Sequence, residues 1–175
     1  MNNPNELFDV INKDDKVIGK ATRSICHKYS LLHRSSKVLT FKDKSFQEVL
    51  LQKKSGESEL NPHKICLPGG HVDSDESYDK AMKREDIEEM YDFKNPNKKL
   101  EFEKLFKIET SSKKDKRYTM VYRDIDPGPF EVDSHEVESY TFVKINKVLK
   151  DIKDNPRKYT ISCRLILEAY AKKFL

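Results

Sequence analysis

Glu85, Glu88 and Glu89 lie close together in a stretch that contains neither glycine nor proline. At about 100° per residue, a helix through them gathers all three carboxylates into an arc of about 100°. Like charges at such spacings each cost an isolated helix about 0.2–0.5 kcal/mol, so three kept together imply a cation that offsets the repulsion. A hard divalent ion such as Mg²⁺ suits this role, because it takes oxygen ligands and bridges carboxylates to phosphate oxygens. The plainer reading is a solvated charged face shared with Lys80, Lys83 and Arg84.

Secondary structure must position these side chains. Residues 76–90 are rich in Glu, Lys, Ala and Met and predict a helix of about four turns, with Ser74 or Asp75 as N-cap. Residues 6–11 and 17–22 read as two strands joined by the polar turn Asn-Lys-Asp-Asp-Lys. Further strands are expected at 37–41, 49–52, 64–67, 100–108, 118–125 and 137–143. Breaks fall at Leu67-Pro68-Gly69-Gly70, Asn95-Pro96-Asn97 and Asp126-Pro127-Gly128-Pro129. Helices close the chain at 146–152 and 162–174, the latter presenting Leu165, Leu167, Ala169, Tyr170 and Phe174. Strands and helices mix without regular alternation, so the expected class is α+β, a mixed sheet with helices on its faces.

The 175 residues show no composition break, and a single domain over 1–175 is expected. Lys plus Arg exceed Asp plus Glu by four, too small a surplus to point at DNA or a polybasic membrane anchor. Cys26, Cys66 and Cys163 form no CxxC pair, so neither a disulfide framework nor a zinc knuckle is expected. No secretory leader is apparent and no apolar run approaches the ~18 residues of a membrane span. These features predict a soluble cytoplasmic protein without membrane partners.

Spacing sharpens the reading of the helix. Gly70, five residues, Glu76, seven residues, Arg84-Glu85, two residues, Glu88-Glu89 resembles the Nudix box of MutT-like hydrolases. With 5 Gly, 7 Arg and 15 Glu in the chain, chance agreement at these six positions is on the order of 1 in 10⁵. The resemblance implies a Nudix-type α/β/α sandwich around a mixed β-sheet. It implies that Gly70 shapes the entry loop, that Arg84 pairs with a box glutamate, and that Glu85, Glu88 and Glu89 bind Mg²⁺ or Mn²⁺. The implied activity is hydrolysis of a diphosphate linkage in a nucleotide or other small-molecule organic diphosphate. Asp86, Tyr91 and Asp92 depart from the box, which carries an apolar residue, glycine and a second apolar residue there.

Beyond the box, residues 6–23, Cys26-His27, Leu31-Leu32-His33-Arg34 and Gly69-Gly70-His71 are similar to isopentenyl-diphosphate isomerases and the Nudix hydrolases nearest them. Glu136-Val137-Glu138, Phe142-Val143 and Asn155-Pro156-Arg157-Lys158-Tyr159-Thr160 extend the likeness. The isomerase works on carbon through a cysteine directly before its Gly-His pair. Gly69 stands at that position here and Cys66 lies three residues earlier, read as a buried strand cysteine, which favours hydrolysis. The isomerase also holds a metal through three histidines and two glutamates, and His27, His33, His71, Glu136 and Glu138 sit in similar places, His71 being the one expected to face the site. Glu136 or Glu138 is the expected general base, both pointing one way if the strand alternates. Lys53, Lys54 and Arg23 align with basic residues that hold diphosphate. Lys113-Lys114, Lys116-Arg117 and Lys172-Lys173 read as solubilising. Tyr29, Phe46, Tyr118 and Tyr122 either stack on a base or belong to the core. Alternatives are an isomerase-type enzyme, a non-catalytic Nudix-fold binding module, and RNA decapping, which needs an extended basic track.

Overall fold

A computed structural model describes residues 3–58, 60–91, 94, 101–112 and 115–175. Asp92, Leu100, the Asn95-Pro96-Asn97 break and the Lys113-Lys114 pair lie outside them. The expected hairpin opens the chain: β1 (Leu7–Ile11) and β2 (Val17–Thr22) pair antiparallel, with Phe8 opposite Ala21. Asn12 ties the turn, its Oδ1 accepting from the Asp14 and Lys16 amides at 2.9 and 3.0 Å. A short helix that sequence patterning did not predict follows, α1 (Arg23–Tyr29), which ends where Ser30 turns left-handed. Its seven residues bury Cys26 and His27.

The main sheet contains β3 (Leu32–Phe41), β4 (Glu48–Lys54), β5 (Ile65–Cys66), β6 (Glu103–Glu109), β7 (Lys116–Ile125) and β8 (Val137–Lys144). Its order is β5-β4-β3-β7-β6, with β8 running antiparallel along β4. β3 and β7 are parallel over ten residue pairs and the remaining pairings are antiparallel, so the sheet is mixed. β3 is twice as long as the five residues expected, because its first half, Leu32 to Ser36, carries polar side chains that become buried: His33, Ser35 and Ser36 are wholly enclosed. Ser35 shares a 2.7 Å hydrogen bond with Thr119 of β7.

One face of the sheet is covered by α3 (Ile145–Asp154) and α4 (Ile161–Phe174), separated by a 3-10 turn at Pro156–Lys158. Leu39, Phe41, Leu51 and Val121 pack there against Val148, Ile152, Ile166 and Tyr170. The other face carries α2 (Tyr78–Tyr91), whose Met82 meets Val38 and Tyr122, and whose Met90 and Tyr91 meet Leu50 and Phe130. Helix layers on both faces of a mixed sheet make the expected α/β/α sandwich.

The N-terminus of α2 corrects the expected cap. The helix begins at Tyr78, and Ser77 accepts from the Lys80 amide at 3.2 Å. Ser74 donates to Asp9 at 2.9 Å and Asp75 pairs with Lys20 at 2.5 Å, so both serve the hairpin instead. At the other end, Tyr91 is itself still helical and not left-handed, and hydrogen-bonds Asp126 through its hydroxyl. The glycine expected from the box is therefore unnecessary. Among the described residues no helix is long and apolar enough to cross a membrane.

Candidate active site

Backbone pairing fixes the loop that feeds α2. Val38 and Ser36 donate to the Pro68 and Gly70 carbonyls at 3.2 and 2.9 Å, and Val72 donates to Arg34 at 3.1 Å. The loop thus lies along β3. Gly69 sits at φ +106°, and a Cβ there would fall 2.4 Å from the Ser36 carbonyl oxygen. Gly70 is pressed against Glu85, whose carboxylate atoms lie 2.3–2.5 Å from where a Cβ would stand. Neither position has room for a side chain.

From α2, Glu89 turns inward and is buried, Glu85 keeps 12% of its side chain exposed, and Glu88 keeps 32%. Arg84 holds the assembly. It donates to both oxygens of Glu76 at 3.1 and 2.9 Å, to Glu85 at 2.9 Å, to Glu88 at 3.3 Å and to the His71 carbonyl at 3.0 Å. Glu89 accepts from the Gly69 amide at 2.8 Å. Burial raises the Glu85 carboxyl to about 8, with the Glu89 charge adding to it. Burial also lifts Glu88 and Glu89 above the usual carboxylate range. The three carboxylates raise one another's proton affinity as well, and oxygen donors clustered in this way suit a divalent cation.

These glutamates line a cavity of about 120 Å³ whose remaining wall includes Arg23, Lys37, Lys54, His71, Arg117 and Glu136. The structure thus gathers Gly70, Arg84, Glu85, Glu88, Glu89, His71, Lys54, Arg23 and Glu136, with Glu76 behind Arg84. It does not bring Lys53 or Glu138 to the cavity. These two pair with each other at 2.6 Å on the surface, where His63 also meets Glu138 at 2.9 Å. The cause is a register shift: Lys53 faces Ser139 but Lys54 faces Val137, and Glu136 falls in the turn before β8, its carbonyl accepting from Ser55. Strand alternation therefore does not carry Glu136 and Glu138 to one side.

The three histidines do converge. Ligand atoms of His27, His33, His71 and Asp115 all lie within 4.8 Å of one another in a buried cluster. His71 and His33 stack on Phe8 with ring centroids 4.7 and 5.2 Å away. His33 donates from Nδ1 to the Leu31 carbonyl at 2.8 Å, which leaves Nε2 facing Asp115 at 3.4 Å. Burial first, then the charges of Arg117 and Arg23, hold His71 well below its ordinary pKa, whereas Arg117 and His33 outweigh burial at Asp115 and bring it to about 2. His71 Nε2 and Asp115 Oδ1 are buried without a hydrogen bond. Neutral imidazole and ionised carboxylate atoms so disposed fit a divalent cation. The acid in this cluster comes from the approach to β7, in place of the expected Glu136 and Glu138.

Sequence reasoning missed Asp115, Lys37 and Arg117. Lys37 is buried and donates to the Leu67 carbonyl at 2.9 Å and to the Gly69 carbonyl. Arg117, expected to be solubilising, is mostly buried against Asp115 at 3.1 Å. Cys66 is buried as expected and donates to Gln52 at 3.7 Å.

A mixed sheet between helix layers, with a glycine loop feeding an arginine-locked carboxylate helix, is the Nudix fold. Residues 31–165 match the NUDIX domain family, and the chain belongs to the Nudix hydrolase family. Among solved structures it is similar to DR0079 from Deinococcus radiodurans, with a TM-score of 0.77 and 17% identity, covering 94% of this chain and 98% of that one. It is also similar to a MutT protein from Methanosarcina mazei Go1 (TM-score 0.66, 22% identity, 81% and 94% covered). A third is the NUDIX domain of Shewanella oneidensis NrtR, solved with ADP ribose (TM-score 0.60, 16% identity, 83% and 88% covered). At these identities the likeness is one of fold. A comparison with curated proteins finds no match.

Proposed function

We propose that the chain hydrolyses a diphosphate linkage in a small organic diphosphate, using Mg²⁺ or Mn²⁺ held by Glu85, Glu88 and Glu89. The observation that carries this reading is the meeting of three mutually repelling carboxylates with Arg23, Lys54 and Glu136 around one cavity. A bound divalent ion supplies neutralisation of the phosphate oxygens and acidifies a water. Arg84 keeps Glu85 and Glu88 oriented through its bonds to both. Lys54 and Arg23 hold the diphosphate by charge. Glu136 takes the proton of the attacking water, a role for which Glu138, engaged by Lys53 and His63, is badly placed. His27, His33, His71 and Asp115 hold a second divalent ion, supported by the inward-facing donor atoms of that cluster. Three free, buried cysteines agree with a reducing cytoplasmic setting.

Isomerisation is disfavoured, because the backbone at Gly69 leaves no room for the cysteine that chemistry uses. A pure binding module has no need for the repelling carboxylates. The test is phosphate or monophosphate release from nucleoside and non-nucleoside diphosphates with and without Mg²⁺. Glu88→Gln and Glu89→Gln are each expected to lower metal-dependent turnover by about 100-fold or more. Undiminished turnover in both variants rejects the assignment.

A further inference from the structure

The carboxylate cavity does not end at Glu85 and Glu89. Arg23, Lys37, Lys54, His71 and Arg117 also line an adjoining space of about 120 Å³, so the two share a cationic wall and differ in the rest of their lining. In the second space, four cationic side chains face one carboxylate, Asp115; Arg117 pairs with it at 3.1 Å, Arg23 pairs with Glu6 at 3.0 Å, and Lys37 donates to the Leu67 and Gly69 carbonyls. The charge left over has few claimants. Lys54 makes no ion pair among the described residues, and Arg117 Nε is buried without a hydrogen-bond partner.

The rest of this lining is hydroxyls and backbone. Thr110, Ser112, Thr160 and Ser162 contribute, the last two at the N-terminus of the 14-residue helix α4. Thr160 caps that helix by accepting from the Cys163 amide at 3.3 Å, and the positive end of its dipole therefore adds to the cationic wall. Among the described residues no Phe, Tyr or Trp ring lines either space, and the one imidazole there, His71, is stacked on Phe8 and His33. Tyr122, one of the rings with the right chemistry for stacking, is buried under α2 with its hydroxyl on Asp79 at 2.5 Å, and Tyr29 is exposed elsewhere. A space well under the ~300–1,000 Å³ of ordinary ligand pockets, without a stacking surface, is poorly shaped for a nucleoside.

We propose that the second space receives a phosphate, so that the substrate is a compact organic or inorganic polyphosphate carrying an anionic group beyond the scissile diphosphate, and not a nucleoside derivative. This rests on the hydrolase reading above and names the substrate class for that site. In the proposed pose the scissile diphosphate lies at Glu85, Glu88 and Glu89, and the distal phosphate meets Arg117, Lys54 and the hydroxyls of Thr160 and Ser162. The anionic group has two chemical sources, a phosphorylated sugar diphosphate or a linear polyphosphate, and separate probes distinguish them.

The experiment compares kcat/KM for phosphoribosyl diphosphate, inorganic tripolyphosphate, isopentenyl diphosphate, ADP-ribose and a dinucleoside tetraphosphate, with calorimetric binding of each to the inactive Glu89→Gln protein. Two variants place a negative charge at the far end only. Ser162→Asp sits in the first turn of α4, where an acid suits the helix, and Asn61→Asp sits in an exposed turn at φ 60°, which aspartate tolerates. One or both compact polyanions are expected to bind and turn over at least about 10-fold better than the nucleoside compounds, whichever leads naming the source. Each variant is expected to weaken those polyanions by about 10-fold, and Asn61→Asp, which alters no residue of the pose, is expected to leave isopentenyl diphosphate, which lacks a distal anion, within about 2-fold. Preference for ADP-ribose or the dinucleotide, no binding of either compact probe, or equal losses on every probe in the variants would overturn the proposal. Turnover of nucleoside compounds alone leaves the hydrolase standing and removes only this inference, whereas binding without turnover of any probe removes the hydrolase reading.

Discussion

Gly70 lacks a side chain because the Glu85 carboxylate occupies the place one would take. Gly70→Ala forces that carboxylate away from its partners, and the expected result is a 10- to 100-fold fall in turnover, roughly that of disturbing a metal ligand's support, with stability lowered by about 1–2 kcal/mol. Gly69→Ala differs in kind. Its Cβ meets backbone, the Ser36 carbonyl at 2.4 Å, from a φ of +106°, so about 3 kcal/mol of stability is expected to go. Paired denaturation and activity measurements check both, and a Gly70→Ala protein that is fully active shows that Glu85 need not stay where it is. The glutamates were legible in the sequence because one helix carries them at a fixed spacing. Asp115 and Arg117 were not, since they reach the site across the β3–β7 pairing and their own neighbours, Lys113, Lys114 and Lys116, look like an ordinary solvated run. No local pattern separates a lysine-rich surface from one that folds two residues inward.

Elements were read best where burial imposes a period. α3 buries Ile145, Val148 and Ile152, a stripe visible in the sequence, and β7, β8 and α4 fall within two residues of expectation. α1 escaped because seven residues give too short a window, and the first half of β3 escaped because its polar residues are buried by the site and not by the core. The junction between α3 and α4 has its own tether. Asp151 accepts from Lys158 at 2.7 Å, Tyr159 at 2.5 Å and Asn155 at 2.7 Å, and the Lys158 bond first, then those of Tyr159 and Asn155, lowers its carboxyl to about 2. The unfolded chain holds this proton more readily than the folded one, so the tether is fully present above the ordinary carboxylate pKa of 3.8 and fades as pH falls from there toward 2. Wild type is therefore expected to lose more stability between pH 5 and about 2 than Asp151→Asn does. Denaturant melts across that range decide it, and parallel curves would show that the three bonds contribute nothing net.

At the scale of the whole molecule the question is whether the β1–β2 hairpin and α1 belong to the same cooperative unit as the sheet. They form a separate two-stranded sheet, which alone would be marginal. Yet Phe8 is fully buried against His33 and His71, Arg34 of β3 pairs with Asp15 at 2.7 Å, and the Ser74 amide donates to the Leu7 carbonyl at 2.7 Å. We propose that these contacts make residues 1–175 one domain. The cysteines report on it, because Cys26 lies in α1, Cys66 in β5 and Cys163 in α4, all buried and none in a disulfide. Burial pushes the Cys26 thiol up to about 11 and raises Cys66 and Cys163 as well, so a thiol reagent reaches each only after opening. In native-state labelling, Cys26 and Cys163 are expected to share one free energy of opening and one denaturant dependence. Labelling of Cys26 at distinctly lower denaturant would mean that the hairpin and α1 detach first, taking His27 from the histidine cluster while the carboxylate helix stays folded.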